Sequence, residues 1–438
     1  MSLPFPSTGY RLWTTYKFVR DPYTCYQRWH QDYGDTFIVN AMNGDVVVTC
    51  DPENVQKALS AGSDDVRQFA VGTSAPLIGE TAVIVISGPP HKQKRRLLSH
   101  SFGRGCVAQQ LAQMEQSAVD ATKRWTPGEQ IRVMDYSLDV SLDVIIRVVF
   151  GVTDTETMVR FRDRIKSYVA SFHPLLAFTR IFQRSWFGLS PWDRFQREKR
   201  GLETMLESAI DEAVACEDKA SRGLLGQIIE SYQEEDQAID KPDICSQLIT
   251  MLLAGHETTQ IAIAWAMSWL HRHPEFLDRL RSEIQTKSLV EMIKDSELLD
   301  GVCQESLRLN AILPDFVRTL NKPMIWSGVE LPAGTNIGIA TYLLHSRPEI
   351  YPEPDAFRPD RWSQFRVKPH QFTPFGGGVR RCLGANMATM EMKTVLVTWL
   401  REFEFALPGD SPEVESVYRR NLTMAPKSGI PLIVKEKV

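Results

Sequence analysis

Apolar residues recur at two periods along the chain. Between residues 36 and 49 they form two short runs, Thr-Phe-Ile-Val and Val-Val-Val-Thr, on either side of Asn43-Gly44, the signature of a β-hairpin. Asp51-Pro52-Glu53 then predicts a helix start, because the Asp51 side chain can accept backbone N–H bonds and Pro52 sits where its missing N–H does no harm. Residues 64–88 keep no helical period and are rich in Gly, Pro and small apolar side chains, which predicts a long loop. Beyond them the 3.6 period dominates. Residues 90–102, 107–125, 138–151, 156–172, 191–217 and 224–233 each read as a helix, with Gly, Pro or Asp/Ser breaks between them. Residues 171–188 are apolar and aromatic but hold Pro174, Arg180 and Arg184, a pattern that fits core packing. The longest helical pattern runs from 242 to 273. Its apolar part, 248–270, could span a bilayer by length, yet His256, Glu257, Thr258 and Thr259 interrupt it. A buried central helix carrying a polar site is the better reading. Extended runs follow at 312–318, 324–331 and 335–340, and a last hairpin is predicted at 422–427 and 431–435. The fold class is therefore mainly α with a small β-rich region.

Composition narrows the partners more than the fold. Of 438 residues, 43% are hydrophobic and 24% charged, ordinary globular values. Fifty basic against 54 acidic residues give a net charge of −4, which excludes a global nucleic-acid partner and leaves docking to local patches. The seven cysteines are scattered and form no Cys-x-x-Cys pair, a pattern of a reducing compartment rather than of a zinc or disulfide framework. The first ten residues lack a basic stretch followed by an apolar run, so a cytoplasmic protein with no membrane span is expected.

The candidate chemistry centres on residues 372–391, a glycine-rich loop that presents Cys382 and then enters a helix. Gly376, Gly377 and Gly378 would let the backbone approach a flat object, and Gly384 removes bulk beside the sulfur. The helix N-terminus, with Arg380 and Arg381, should favour an anionic sulfur. A buried structural cysteine, a catalytic thiol and a metal-bound thiolate all remain open at this point; a phosphate loop fits poorly, since no Gly-Lys-Ser/Thr follows. His91 and Arg95 lie four apart on one face of the 90–102 helix, with Lys92 and Arg96 on the next. In the central helix, Ala254 and Gly255 are small enough to leave room for a flat cofactor and a diatomic ligand. Thr258 could divert a carbonyl hydrogen bond and let the helix widen. Each of these has a bland reading as a basic surface face or a satisfied polar cluster.

Together they resemble a known family. Phe375, Gly378, Arg380, Cys382 and Gly384 fit the haem-binding loop of the cytochrome P-450 monooxygenases, and Ala254-Gly255-His256-Glu257-Thr258 fits its oxygen-site motif. Glu305-x-x-Arg308 and the Pro-Asp-Arg361 segment follow in the family's order. The resemblance implies haem b (iron protoporphyrin IX) with Cys382 as iron ligand and Phe375 packed on the sulfur. By the same resemblance His91, Arg95, Arg318 and Arg380 meet the haem propionates, His91 standing where many members have Trp. Glu257 and Thr258 become the catalytic proton-delivery pair, and Glu305, Arg308 and Arg361 a structural network behind the loop. Val71, Phe172, Leu175, Phe178, Leu253, Ile312, Leu313, Phe316, Leu422 and Met424 are expected to wall the substrate pocket. The implied protein is one cytochrome P-450 domain over residues 1–438, a monomer without a fused reductase. It would hydroxylate a hydrophobic small molecule, a terpenoid or steroid before a fatty acid, with O2 and two electrons from a ferredoxin or flavodoxin-type donor. That donor would dock on Lys92, Lys94, Arg96, Arg366, Lys368 or Arg381. A peroxide-driven peroxygenase or a non-catalytic haem sensor or carrier are the other readings.

Overall fold

The computed structural model describes residues 3–172, 176, 183–186, 188, 190–235, 238–409, 411 and 415–437. Its strands, in chain order, begin with β1 (Thr36–Ala41), β2 (Gly44–Thr49), β3 (Val66–Gln68), β4 (Gln130–Arg132), β5 (Phe316–Leu320) and β6 (Met324–Trp326). They continue with β7 (Val329–Leu331), β8 (Asn336–Ile339), β9 (Phe403–Ala406), β10 (Val417–Arg420), β11 (Thr423–Pro426) and β12 (Pro431–Lys437). The hairpin at 36–49 forms with Thr36 opposite Thr49. It is extended into a five-stranded sheet ordered β1-β2-β8-β5-β3, in which β2 and β8 run parallel. Gly338 lies where a Cβ would come within 3.1 Å of Val46 and 3.2 Å of Val48, so the close fit of β8 on β2 depends on it. This sheet, with the helices Pro22–Tyr33 and Pro52–Ser60, encloses a small core around Trp29, Phe37, Val48 and Trp326.

The larger core is helical. Its axis is the helix Lys241–Arg272, capped by the Asp240 side chain on the Asp243 N–H and packed against the helices Val133–Val144, Glu297–Leu309 and Ala385–Glu402. From Ile261 to Met267 every residue of that helix is buried. It is an interior helix, and among the described residues no helix is long and apolar enough to cross a membrane.

Four sequence expectations are corrected. Residues 64–88 are not one loop: they hold β3 and the helix Val71–Ile78, whose apolar turns the Gly and Pro content disguised. The 324–331 run folds back on itself as β6 and β7, turning at Ser327 and Gly328, both with positive φ. The 107–125 helix is two helices, Arg104–Ala108 and Leu111–Thr122. The final hairpin does not form as read. β11 pairs with β10, while β12 joins β4 and β9 in a separate sheet, because the apolar Leu432 and Val434 are needed in the helical core.

Candidate functional site

The cysteine loop bridges the two cores. Phe372, Phe375 and Leu383 pack on the helical core, and Val379 on the smaller one. Gly376 and Gly378 take φ of +64° and +61°, and the Cys382 N–H donates to Phe375 O at 2.9 Å. The glycines serve a purpose the sequence did not suggest. A Cβ on Gly378 would lie 2.0 Å from Leu59 O, and one on Gly377 2.8 Å from Leu59 Cδ1, so both accommodate the end of the helix Pro52–Ser60. Gly384 does flank the sulfur, its Cβ position being 4.0 Å from Cys382 Sγ.

Behind the loop stands a buried ion network. Glu305 Oε1 and Oε2 accept from Arg308 at 2.8 and 2.9 Å, Arg361 Nε donates to Oε1 at 2.8 Å, and Trp362 Nε1 to Oε2 at 3.0 Å. The side chains of Glu305, Arg308 and Arg361 are 0, 1 and 2% exposed. The two guanidiniums spend their remaining N–H groups on the carbonyls of His345, Pro352, Pro354 and Ala356. The Trp362 ring packs against Phe372 at a tilt of 53°, and His345 Nε2 accepts the Thr373 N–H at 2.9 Å, so the network holds the residues that lead into the cysteine loop.

On the other side of Cys382 lies an accumulation of positive charge. Burial, together with Arg380, Arg95 and Arg318, pushes His91 down to about 4; burial, then Arg380 and Arg95, pushes Arg318 down to about 10, and burial, then Arg95, pushes Arg380 down to about 10. Arg380 donates to Val83 O, Ile86 O and Ser87 Oγ, and Arg95 to Arg381 O, all neutral acceptors. Arg318 Nη2 donates to Gly377 O at 3.1 Å, while its Nη1 is buried without a partner. Among the described residues no carboxylate pairs with Arg95, Arg318 or Arg380. Buried like charges with an orphan donor call for an anion from outside the chain. The Cys382 sulfur has a matching need. Cys382 itself is exposed, but the protein packed around its sulfur desolvates the thiol and pushes it up against the pull of the Gly384 N–H, Arg381 and Arg95, so a bound metal cation would be a means of making the sulfur anionic. A group that is a metal ion at its centre and carboxylate at its rim satisfies both demands, and haem is such a group.

The central helix carries the remaining candidate residues. Ala254 is exposed although Leu252 and His256 on either side are buried, so the helix here borders an opening. Thr258 Oγ1 donates to Ala254 O at 2.7 Å, yet the helix stays regular; the described π-helical turn is instead Ile145–Val149. Gly255 is occupied by that turn, since its Cβ would meet Ile145 Cδ1 at 3.3 Å. Burial raises the Glu257 carboxyl, with Arg420, Asn421 and Thr423 opposing.

Of the expected wall residues, Val71, Phe172, Leu253, Ile312 and Phe316 are half-buried, and Leu313 and Leu422 are exposed. Met424 is only 2% exposed; its backbone N–H donates to Ile312 O, and its side chain offers a ligand little surface. Leu175 and Phe178 lie outside the described residues. Lys94 is not available for docking, because it pairs with Asp243 and Tyr232 inside the protein. Lys92, Arg366, Lys368 and Arg381 are exposed, and Arg96 is exposed but paired with Glu235. Sequence reasoning missed Arg420, for which an Arg-Arg pair before Asn421 carries no signal of a partner 163 positions earlier.

The comparisons with known proteins agree with this arrangement. The cytochrome P450 family model matches residues 2–432. A Mycobacterium bovis protein named as cytochrome P450 138 is 28% identical over 99% of this chain and 97% of its own length, and one named as cytochrome P450 135B1 is 30% identical over 92% and 85%. Among solved structures, retinoic acid-bound cyanobacterial CYP120A1 has a TM-score of 0.86 at 21% identity and covers all of both chains. The haem domain of cytochrome P450DA has a TM-score of 0.85, also at 21% identity, and covers 100% and 99%. A family match over nearly the whole length thus accounts for the charge and sulfur chemistry found around position 382: the chain belongs to the cytochrome P450 family, the haem-thiolate monooxygenases.

Proposed function

We propose that Cys382 is the axial ligand of the haem iron, that His91, Arg95, Arg318 and Arg380 hold its propionates, and that the enzyme hydroxylates a terpenoid or steroid. The observation that carries this reading is the unneutralised cationic cluster with the orphan Arg318 Nη1, together with the exposed Cys382 thiol on which Arg95 and Arg381 act. Haem bound there supplies one-electron and O2 chemistry, and a thiolate ligand pushes electron density toward O–O cleavage. The chain's own residues do the rest. Phe375 shields the sulfur, and Ala254 keeps the central helix clear of the opening. Thr258 holds a hydroxyl at its edge, and Glu257, raised by burial, retains a proton to higher pH than an exposed carboxyl.

The half-buried apolar residues Val71, Phe172, Leu253, Ile312 and Phe316 support a hydrophobic substrate. Of the nearby arginines, Arg318 on the strand of Phe316 is assigned here to the haem and Arg420 pairs with Glu257, which favours a terpenoid or steroid over a fatty acid anchored by its carboxylate. Electrons come from a ferredoxin or flavodoxin-type donor docked on Lys92, Arg366, Lys368 and Arg381.

The reduced carbon monoxide spectrum of the wild type and of Cys382→Ser tests the ligand: a thiolate-haem signature in the first and its loss in the second is expected. An unchanged spectrum in the variant would sink the assignment. Spectral-shift titration with a hydrophobic compound library then identifies the substrate class. Product formation with and without an electron donor separates the monooxygenase from a peroxygenase or a haem carrier.

A further inference from the structure

The hairpin of β10 and β11 belongs to no motif in the sequence, yet it reaches the acid of the central helix from three positions. Arg420 Nε lies 3.2 Å from Glu257 Oε1, and Asn421 and Thr423 stand close enough to act on the same carboxyl, opposing the rise that burial causes. The turn is built to hold this pose. Asn421 sits in the left-handed region at φ +54°, and Thr423 Oγ1 donates to Arg420 O at 2.7 Å. The far strand is tied to the pocket segment through the Met424 N–H on Ile312 O at 2.8 Å.

The Arg420 contact is unlike the pairs that knit the Glu305 network. Glu257 Oε1 is buried and has no aligned hydrogen bond, although the guanidinium is within ion-pair distance. The Glu257 side chain is 14% exposed and that of Arg420 37%, so the pair straddles the boundary between interior and solvent. A charge contact without directional hydrogen bonds orients its partner but is cheap to leave. Among the described residues Glu257 has no other ion pair. Its neighbour His256 is buried, kept neutral by burial, and turned onto Leu252 O.

We propose that Arg420 is a positioning residue for Glu257: through the β10–β11 hairpin it fixes where the carboxyl points and how readily that carboxyl keeps its proton. The inference rests on reading Glu257 as the proton-delivering acid, and its test separates the two. In the ferric haem-loaded enzyme, infrared difference spectra over a pH series follow the C=O band of the protonated carboxyl, identified by its loss in Glu257→Gln. Removing an opposite charge favours the neutral form, so Arg420→Gln is expected to keep the band to a pH higher by about one unit, a tenfold gain in proton affinity. Arg420→Lys, which keeps the charge, should restore most of the wild-type titration, a rescue that a purely structural role would not give. Thr423→Val, which removes the hydroxyl that ties the turn through Arg420 O, should move the band in the same direction by less. An unmoved band in Arg420→Gln, with native circular dichroism, overturns the proposal. Peroxide released per electron consumed is measured on the same proteins. If Glu257→Gln leaves it unchanged, the proton-delivery reading fails, while the infrared shift still decides whether Arg420 governs the carboxyl.

Discussion

At the scale of single residues, the site depends on atoms that must be absent as much as on atoms that are present. Gly378 combines φ of +61° with a Cβ position 2.0 Å from the Leu59 carbonyl, so Gly378→Ala meets both left-handed strain and a backbone clash. It is expected to cost about 3 kcal/mol or more, or to prevent haem uptake, as read by denaturant melts and haem content. Thr258→Ala removes the hydroxyl now held on Ala254 O and should raise peroxide release per electron while leaving the fold intact. A fully coupled Thr258→Ala enzyme would count against its role. The legible residues were those whose chemistry is local. Cys382 among glycines and the Ala-Gly-x-Glu-Thr run announce themselves by type and spacing. Arg420 does not, because its meaning is set by a hairpin that only the tertiary fold brings to Glu257, and Lys94 looked free because nothing in the sequence places Asp243 and Tyr232 against it.

At the scale of elements, the decisive one is the helix Glu297–Leu309 with its Glu305 network. The pair at i, i+3 reads like any surface pair; what distinguishes it is total burial and the arrival of Arg361 from a distant segment. Glu305→Gln strips the shared carboxylate from two buried guanidiniums and is expected to destabilise the protein by about 3–5 kcal/mol, measured by urea denaturation of the haem-loaded enzyme. A loss below about 1 kcal/mol, the level of an exposed pair, would show that the network is replaceable. Helices with strong period and caps were readable in sequence, as the Asp240 cap of the central helix illustrates. Strand pairing was less so. The chain between 417 and 437 holds three strands, and hairpin logic joined the wrong two because the demand of the helical core for Leu432 and Val434 is not a local signal.

At the scale of the whole molecule, buried titrating groups set an acid limit with opposing signs. Burial, then Arg308, pushes His345 down to about 3, so in the fold it stays neutral while the unfolded chain binds a proton below about pH 6.5. Its contribution is complete above that pH and is lost on acidification at about 1.4 kcal/mol per unit until the folded group titrates. Glu391, fully enclosed and bonded to Ser141 Oγ, is pushed up to about 7, and its contribution runs the other way, declining as pH rises from about 4.3 to 7. The two slopes offset between about pH 4.5 and 6.5. Glu391→Gln is therefore expected to make stability rise more steeply with pH in that window, as measured by urea melts across it; an unaltered slope would refute the assignment. Docking of the electron donor also belongs to this scale. Charge reversal at Lys92, Lys368 and Arg381 should slow reduction several-fold at low salt and much less at high salt, since exposed charges act through a screened field.

The seating of the glycine loop on Leu59 has a mechanical consequence. The stretch that presents Cys382 packs on both cores, so if Cys382 holds the iron as proposed, loosening of the small β-rich lobe would disturb that hold. Cofactor escape and loosening of that lobe should then be a single event, with pigment bleaching and protease nicking near residue 60 proceeding at one rate.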